Sequence, residues 1–77
     1  MEKPLLVFES AIKCDQIEVH GDEDGIRMLI KQLEILLSKE EHIHLKTPSW
    51  GGDELSEEVQ GENHHIINHV KIFCWRK

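Results

Sequence analysis

Between Gly25 and Ser38, the residues Ile26, Leu29, Ile30, Leu33, Leu36 and Leu37 recur at the spacing of one helical face. Arg27, Lys31, Gln32, Glu34 and Lys39 fill the other side, so the run predicts an amphipathic helix. Met28 and Ile35 fall off the stripe and either widen the core face or mark a small exposed patch. Gly21-Asp22-Glu23-Asp24 turns the chain into this helix. Asp22 or Asp24 can accept from the free N–H groups of the first turn, and acids suit the positive end of the helix dipole. Lys39-Glu40-Glu41 closes it. A helix with one apolar face must bury that face against a second layer.

The flanking segments supply that layer, because they alternate with the two-residue period of strands. Leu5-Leu6-Val7-Phe8 reads as a short strand, which Ala11 to Cys14 extends or turns away from. Ile17-Glu18-Val19-His20 is a second strand, with Ile17 and Val19 on one face. No strong turn dipeptide lies between Glu9 and Cys14, so residues 5–20 read equally as a hairpin or as one bent strand. After the helix, His42 to Thr47 points Ile43 and Leu45 inward and His42, His44 and Lys46 outward, until Pro48 stops the ladder. His64 to Trp75 is the longest strand candidate. It has Ile66, Asn68, Val70, Ile72 and Cys74 on a core face, and Ile67, His69, Lys71, Phe73 and Trp75 on an outer one. Arg76-Lys77 reads as a basic tail. The ββαββ order predicts an α+β fold: a two-layer sandwich of a small antiparallel or mixed sheet with one helix packed on one face.

A chain of 77 residues is expected to form a single domain over positions 1–77, with a thin core that needs a staple, a partner or very good packing. Cys14 and Cys74 lie far apart and no CxxC pair exists. Free thiols in a reducing compartment are the expectation, with a single bridge left open. The formal charge of -6 argues against nucleic acid as a partner, since phosphate binding needs clustered Lys and Arg. The same charge suits attraction to a basic protein surface. Glu9 interrupts the short apolar run after Met1-Glu2-Lys3-Pro4, so this is not a signal peptide. No stretch approaches the roughly 20 apolar residues of a membrane span. A cytoplasmic protein of bacterial type is the expectation, with no membrane contact.

Thr47 to Glu58 joins the third strand to the fourth and carries the most unusual composition. A Pro, a Trp and two adjacent Gly are followed by acids, and from Gly51 to Asn63 there are five carboxylates with no Lys or Arg: Asp53, Glu54, Glu57, Glu58 and Glu62. Adjacent glycines permit a sharp turn at positive φ. A phosphate cradle is disfavoured, because the residues that follow would repel phosphate. Trp50 beside the glycines is expected to pack down on the body and anchor the loop, and it reads either as an aromatic at the rim of the core or as a contact anchor for a partner. A solvated acidic loop is the plain interpretation. A rigidly anchored loop on a small acidic body favours a binding epitope that imitates a phosphate backbone and fills a basic cleft.

The histidines raise a metal reading. His42 and His44 share a strand face, and His64, His65 and His69 crowd the start of the last strand. No ligand-spacing motif accompanies them, so solvent-facing polar residues are favoured, and neither metal nor cofactor is expected. Cys14, Cys74, Ser56 and the pair Asp53 and Glu57 fit no catalytic pattern, so no enzyme activity is expected.

Trp50-Gly51-Gly52-Asp53-Glu54-Leu55-Ser56-Glu57, with Ile67-Asn68-His69-Val70-Lys71-Ile72 downstream, resembles immunity protein family 32 of bacterial polymorphic toxin and contact-dependent inhibition systems. The likeness extends to Val19-His20-Gly21-Asp22 through Leu37 and to His42-Ile43-His44-Leu45, so it covers roughly residues 17 to 75. It implies a non-enzymatic inhibitor that binds one cognate toxin domain, of which many are nucleases. The candidate contacts it carries over are Trp50, Asp53, Glu54, Glu57 and Glu58, and the acidic loop adds Glu62. Gly51, Gly52 and Asn68 fit structural roles better. Two other readings stand beside it. Exposed Phe73 and Trp75, with a free sheet edge, suit a self-associating module that forms a homodimer. The histidine-bearing face suits a small metal- or ligand-binding domain.

Overall fold

A computed structural model describes residues 3–11 and 15–76. The elements are β1 (Leu6–Ala11), β2 (Ile17–Gly21), α1 (Glu23–Ser38), β3 (His42–Lys46), β4 (His64–Ile66) and β5 (His69–Phe73). This is the α+β sandwich expected, and every strand pair is antiparallel. β1 and β2 form a hairpin, with Leu6 opposite Gly21 and Ser10 opposite Ile17. Cys14 lies outside the described residues, and with it the question of a bridge to Cys74. Cys74 itself is half-buried against the core.

The predicted long last strand is split. β4 pairs with β1 in the ladder β2-β1-β4, whereas β5 pairs with β3. Ile67 and Asn68 join the two ladders: the Ile67 N–H donates to the Phe8 carbonyl at 2.8 Å, and the Thr47 N–H donates to the Asn68 carbonyl at 3.0 Å. The break also shifts the parity of the strand. Ile66 lies opposite Glu9, on the face away from the helix, while Val70 lies opposite Leu45 in the core. Ile66 therefore does not share a face with Val70, Ile72 and Cys74. The buried Thr47 hydroxyl donates to Asn68 Oδ1 at 2.8 Å and satisfies both polar groups at the junction.

Asp22 caps α1 by accepting from the Gly25 N–H at 2.7 Å. Gly25 is buried, and a Cβ there would lie 1.7 Å from the Leu5 carbonyl oxygen. The absence of a side chain lets the helix touch the chain entering β1, and that contact sets the helix rotation. Leu36 is buried, and Met28 and Leu29 pack partly against Leu6, Ile43, Leu45 and Leu55. The expected stripe is corrected here. Ile26, Ile30, Leu33 and Leu37 lie one step around the helix and are 37–66% exposed. The apolar arc of α1 is wider than the sheet beneath it. Arg76 is more than a tail: its guanidinium donates to the carbonyls of Leu36, Leu37 and Glu40 at 2.9–3.0 Å and closes the end of the helix. Val7 and Glu9, on the other face of β1, are also fully buried.

Candidate partner-binding surface

The chain between β3 and β4 is built on backbone hydrogen bonds. Pro48–Trp50 forms one turn of tight helix, closed by the Trp50 and Gly52 N–H groups donating to the Thr47 carbonyl at 2.9 and 3.0 Å. Gly51 then takes φ 85°, which glycine adopts without strain. At Gly52 a Cβ would lie 2.5 Å from the Lys46 Cβ, so the loop folds back against the end of β3. Leu55 is 3% exposed and enters the core. Ser56 then pairs with Leu6, whose carbonyl accepts from the Ser56 N–H at 2.7 Å and whose N–H donates to Ser56 Oγ at 3.2 Å. Leu55 and Ser56, not Trp50, anchor the loop. Trp50 is 57% exposed, with its ring 6.0 Å from that of His69.

The loop carboxylates divide into two kinds. Glu54 accepts from the Lys46 N–H at 3.0 Å and from the Asp53 N–H at 3.3 Å. Glu57 accepts from the Ser49 N–H at 2.8 Å. Hydrogen bonds from the Ser49 side chain and backbone hold the Glu57 carboxyl below the usual range and outweigh the opposing effect of desolvation. These two acids shape the loop. The side chains of Asp53, Glu58 and Glu62 make no hydrogen bond among the described residues and are exposed. An open depression of about 930 Å³ gathers Asp53, Glu54, Glu57 and Glu58 together with Asp22 from the start of α1, against Lys3 alone. Glu62 is not part of it. Asp22 reads from sequence only as a helix cap, because nothing local places it beside a loop thirty residues on.

A second surface lies on the outer face of β3 and β5. Six rings follow one another across it. Trp75 stacks with Phe73 at 6.1 Å, Phe73 lies 5.4 Å from His42, His42 is edge-on to His44 at 4.9 Å, and His44 stacks with His69 at 5.0 Å beside Trp50. His44 Nδ1 and His69 Nε2 share a hydrogen bond of 2.8 Å. Desolvation, with the charges of His42, His69, Lys71 and Lys46, lowers the His44 pKa, so its imidazole is neutral at neutral pH. The Lys71 ammonium sits 5.0 Å above the Phe73 ring. The expected exposure of Phe73 and Trp75 holds, at 49% and 83%. Their continuity with Trp50 arises only when β3 and β5 pair. Pro48 lines the acidic depression and Trp50 joins the ring ribbon, so this one turn borders both surfaces.

His42 and His44 share a face as the spacing suggests, but the expected group of His64, His65 and His69 does not form. His64 turns away from His65 and His69 and meets buried Glu9, with Nδ1 2.8 Å from Oε1. Among the described residues, no helix is long and apolar enough to cross a membrane. Residues 16–70 match the family model described as Immunity protein 32. No curated protein and no solved structure matches the chain.

Proposed function

The chain belongs to the immunity protein 32 family, and from that premise we propose that it is a non-enzymatic inhibitor which binds a cognate bacterial toxin domain through the acidic depression. The observation that carries this reading is the convergence of Asp22, Asp53, Glu54, Glu57 and Glu58 on one open concavity. A basic surface fits it, and the catalytic cleft of a nuclease is the basic surface most in keeping with a toxin. Asp53 and Glu58 supply charge free to meet the partner, while Glu54 and Glu57 hold the loop in shape. Trp50 at the border supplies an exposed aromatic contact of the kind enriched at binding hot spots. The inhibitor acts in the cytoplasm of the cell that makes the toxin.

The test is co-expression and binding with the toxin domain encoded beside it. Protection of the cell, tight binding, and slower association at raised salt are the expected results. Reversing Asp53 and Glu58 to Lys together should weaken binding while the circular-dichroism spectrum stays native. Unchanged affinity in that variant moves the interface to the ring ribbon. A pair that neither binds at micromolar concentration nor protects ends the proposal.

A second reading, a homodimer, has its own observation. β2 is the edge of its ladder, and Ile17 and Val19 on it are 62% and 44% exposed beside the uncovered side of α1. Two copies paired through β2 about a two-fold axis would extend the sheet and bring the Ile30, Leu33 and Leu37 faces together. Sedimentation at increasing concentration tests it. A monomer throughout removes it, and Val19→Lys should dissociate a dimer.

A further inference from the structure

On the face of the sheet away from α1, three strands bring two carboxylates and two imidazoles together. Glu9 on β1 is fully buried, Glu18 and His20 come from β2, and His64 begins β4. His20 Nε2 lies 2.8 Å from Glu18 Oε1 and 3.8 Å from Glu9 Oε1. His64 Nδ1 lies 2.8 Å from Glu9 Oε1, and its Nε2 is 3.9 Å from Glu18 Oε2. One ligand atom from each of Glu9, His20 and His64 falls within 4.8 Å of the others. None of the four belongs to the acidic depression or to the ring ribbon.

The electrostatics call for a cation. Glu9 and Glu18 are direct partners in the β1–β2 ladder, and like charges placed opposite one another destabilise a sheet. Among the described residues no Lys or Arg reaches either carboxylate within 4.0 Å; the two imidazoles alone do. The two carboxylates are met by backbone N–H groups, the Gln16 amide and the two imidazoles, and bring two formal negative charges to the cluster. A divalent ion cancels them and turns both imidazoles into ligands.

The chemistry of the donors selects the ion. Two imidazole nitrogens with a carboxylate oxygen suit zinc, and neighbouring ligands of a tetrahedral zinc stand about 3.3 Å apart given bonds of about 2.0–2.1 Å. Glu9 Oε1 stands 2.8 Å from His64 Nδ1 and 3.8 Å from His20 Nε2, on either side of that value. The carboxylates are already oriented from behind, as ligands in a working site are. The Gln60 and Gly61 N–H groups donate to Glu9 at 2.6 and 3.0 Å, and Gln16 Nε2 donates to Glu18 Oε2 at 2.8 Å. Glu18 and the His20 side chain are each 35% exposed, which gives an ion a way in.

We propose that Glu9, His20 and His64, with Glu18 set against His20, form a zinc site that staples edge strand β2 and the residue 60–61 crossing to β1. The site supplies the staple that a core of six buried apolar side chains lacks.

The experiment is calorimetric titration of zinc into the full chain, free of any histidine tag, alongside thermal unfolding with and without the metal. One ion per chain, a raised unfolding temperature, and visible d–d bands of a tetrahedral site on cobalt substitution are expected. His20→Ala should weaken zinc binding roughly ten-fold or more, and Glu18→Gln should also weaken it if the first variant misfolds. The double variant His44→Ala/His69→Ala should bind zinc as the parent does. Absence of binding at micromolar zinc overturns the proposal. So does affinity unchanged in both His20→Ala and Glu18→Gln, or lost only in the His44→Ala/His69→Ala variant.

Discussion

Replacing Gly25 by Ala should destabilise the protein, although the same change in an ordinary helix stabilises it by about 1 kcal/mol. The reason is the approach of α1 to the chain before β1. A Cβ at position 25 would stand 1.7 Å from the Leu5 carbonyl oxygen and 2.7 Å from its carbon. Non-bonded heavy atoms rest about 3.5 Å apart, so the first turn must retreat by about 1.5–2 Å. That movement breaks the Asp22 N–H to Leu5 carbonyl bond, now 3.0 Å, and disturbs the 2.7 Å cap from Asp22 to the Gly25 N–H. Each loss costs about 1 kcal/mol. Lifting Met28 and Leu29 from the core adds about 1–2 kcal/mol of lost apolar burial. Set against the propensity gain, the net cost is about 2–3 kcal/mol. The whole stability of a domain this length is about 4–12 kcal/mol. Urea unfolding followed by circular dichroism measures the change directly. Gly51→Ala is the contrasting control, because nothing lies within 4 Å of its Cβ and only the φ of 85° is strained. A Gly25→Ala protein as stable as the parent, or more so, refutes the argument that this contact sets the helix against the sheet.

Leu55→Ala should cost about 2–5 kcal/mol and loosen the acidic loop, since Leu55 is its one buried apolar side chain; hydrogen exchange at the Ser56 and Gly52 amides should speed up with it. Arg76→Ala should cost about 1 kcal/mol by freeing the Leu36, Leu37 and Glu40 carbonyls, read as a lower urea midpoint. Stability should also fall on acidification. Burial pushes the Glu9 carboxyl up, but the Gln60 N–H, His64, the Gly61 N–H and the His20 charge together outweigh it and hold the pKa below the ordinary value. A depressed folded pKa contributes stability that is present above the unfolded value, about 4.3, and is lost as pH falls through the folded one. Glu9→Gln should flatten that acid limb while lowering stability at neutral pH, and a midpoint independent of pH below 5 would count against the role given to Glu9.

Elements with one strong period were legible in the sequence, and contacts between elements were not. The period of α1 and the alternation of β3 survive as local facts, so their positions follow from the residues alone. The rotation of α1 does not follow, because it is set by the touch of Gly25 on Leu5 and not by the centre of the apolar arc. The break at Ile67-Asn68 was hidden for a similar reason: both halves alternate, and only the transfer of pairing from β1 to β3 reveals the shift in parity. The loop carboxylates were visible as a cluster. Their division into structural and free groups depends on which backbone N–H groups reach them, at Lys46, Asp53 and Ser49. Glu9 gave no signal at all, since a single acid in a strand reads as solvent-facing until a loop from fifty residues on covers it.

That division changes how a charge-reversal experiment must be read. Turning Asp53, Glu54, Glu57 and Glu58 all to Lys would remove the acceptors of the Lys46 and Ser49 N–H groups along with the surface charge, and lost binding would then say nothing about contact. Carboxylates already fixed by backbone donors keep their charge in one place, so the proposed partner would meet the concavity with little ordering left to do. The same fixing lowers the Glu57 pKa and keeps that charge in mildly acidic solution. The sequence motif and the proposed partner surface thus overlap without being the same set. Gly51, Gly52, Glu54, Leu55, Ser56 and Glu57 make the loop, and the loop presents Trp50, Asp53 and Glu58. Partner specificity is therefore expected to vary at the second group while the first keeps the shape, and exchanging residues 50, 53 and 58 between relatives should exchange partners where exchanging 54 and 57 only costs stability.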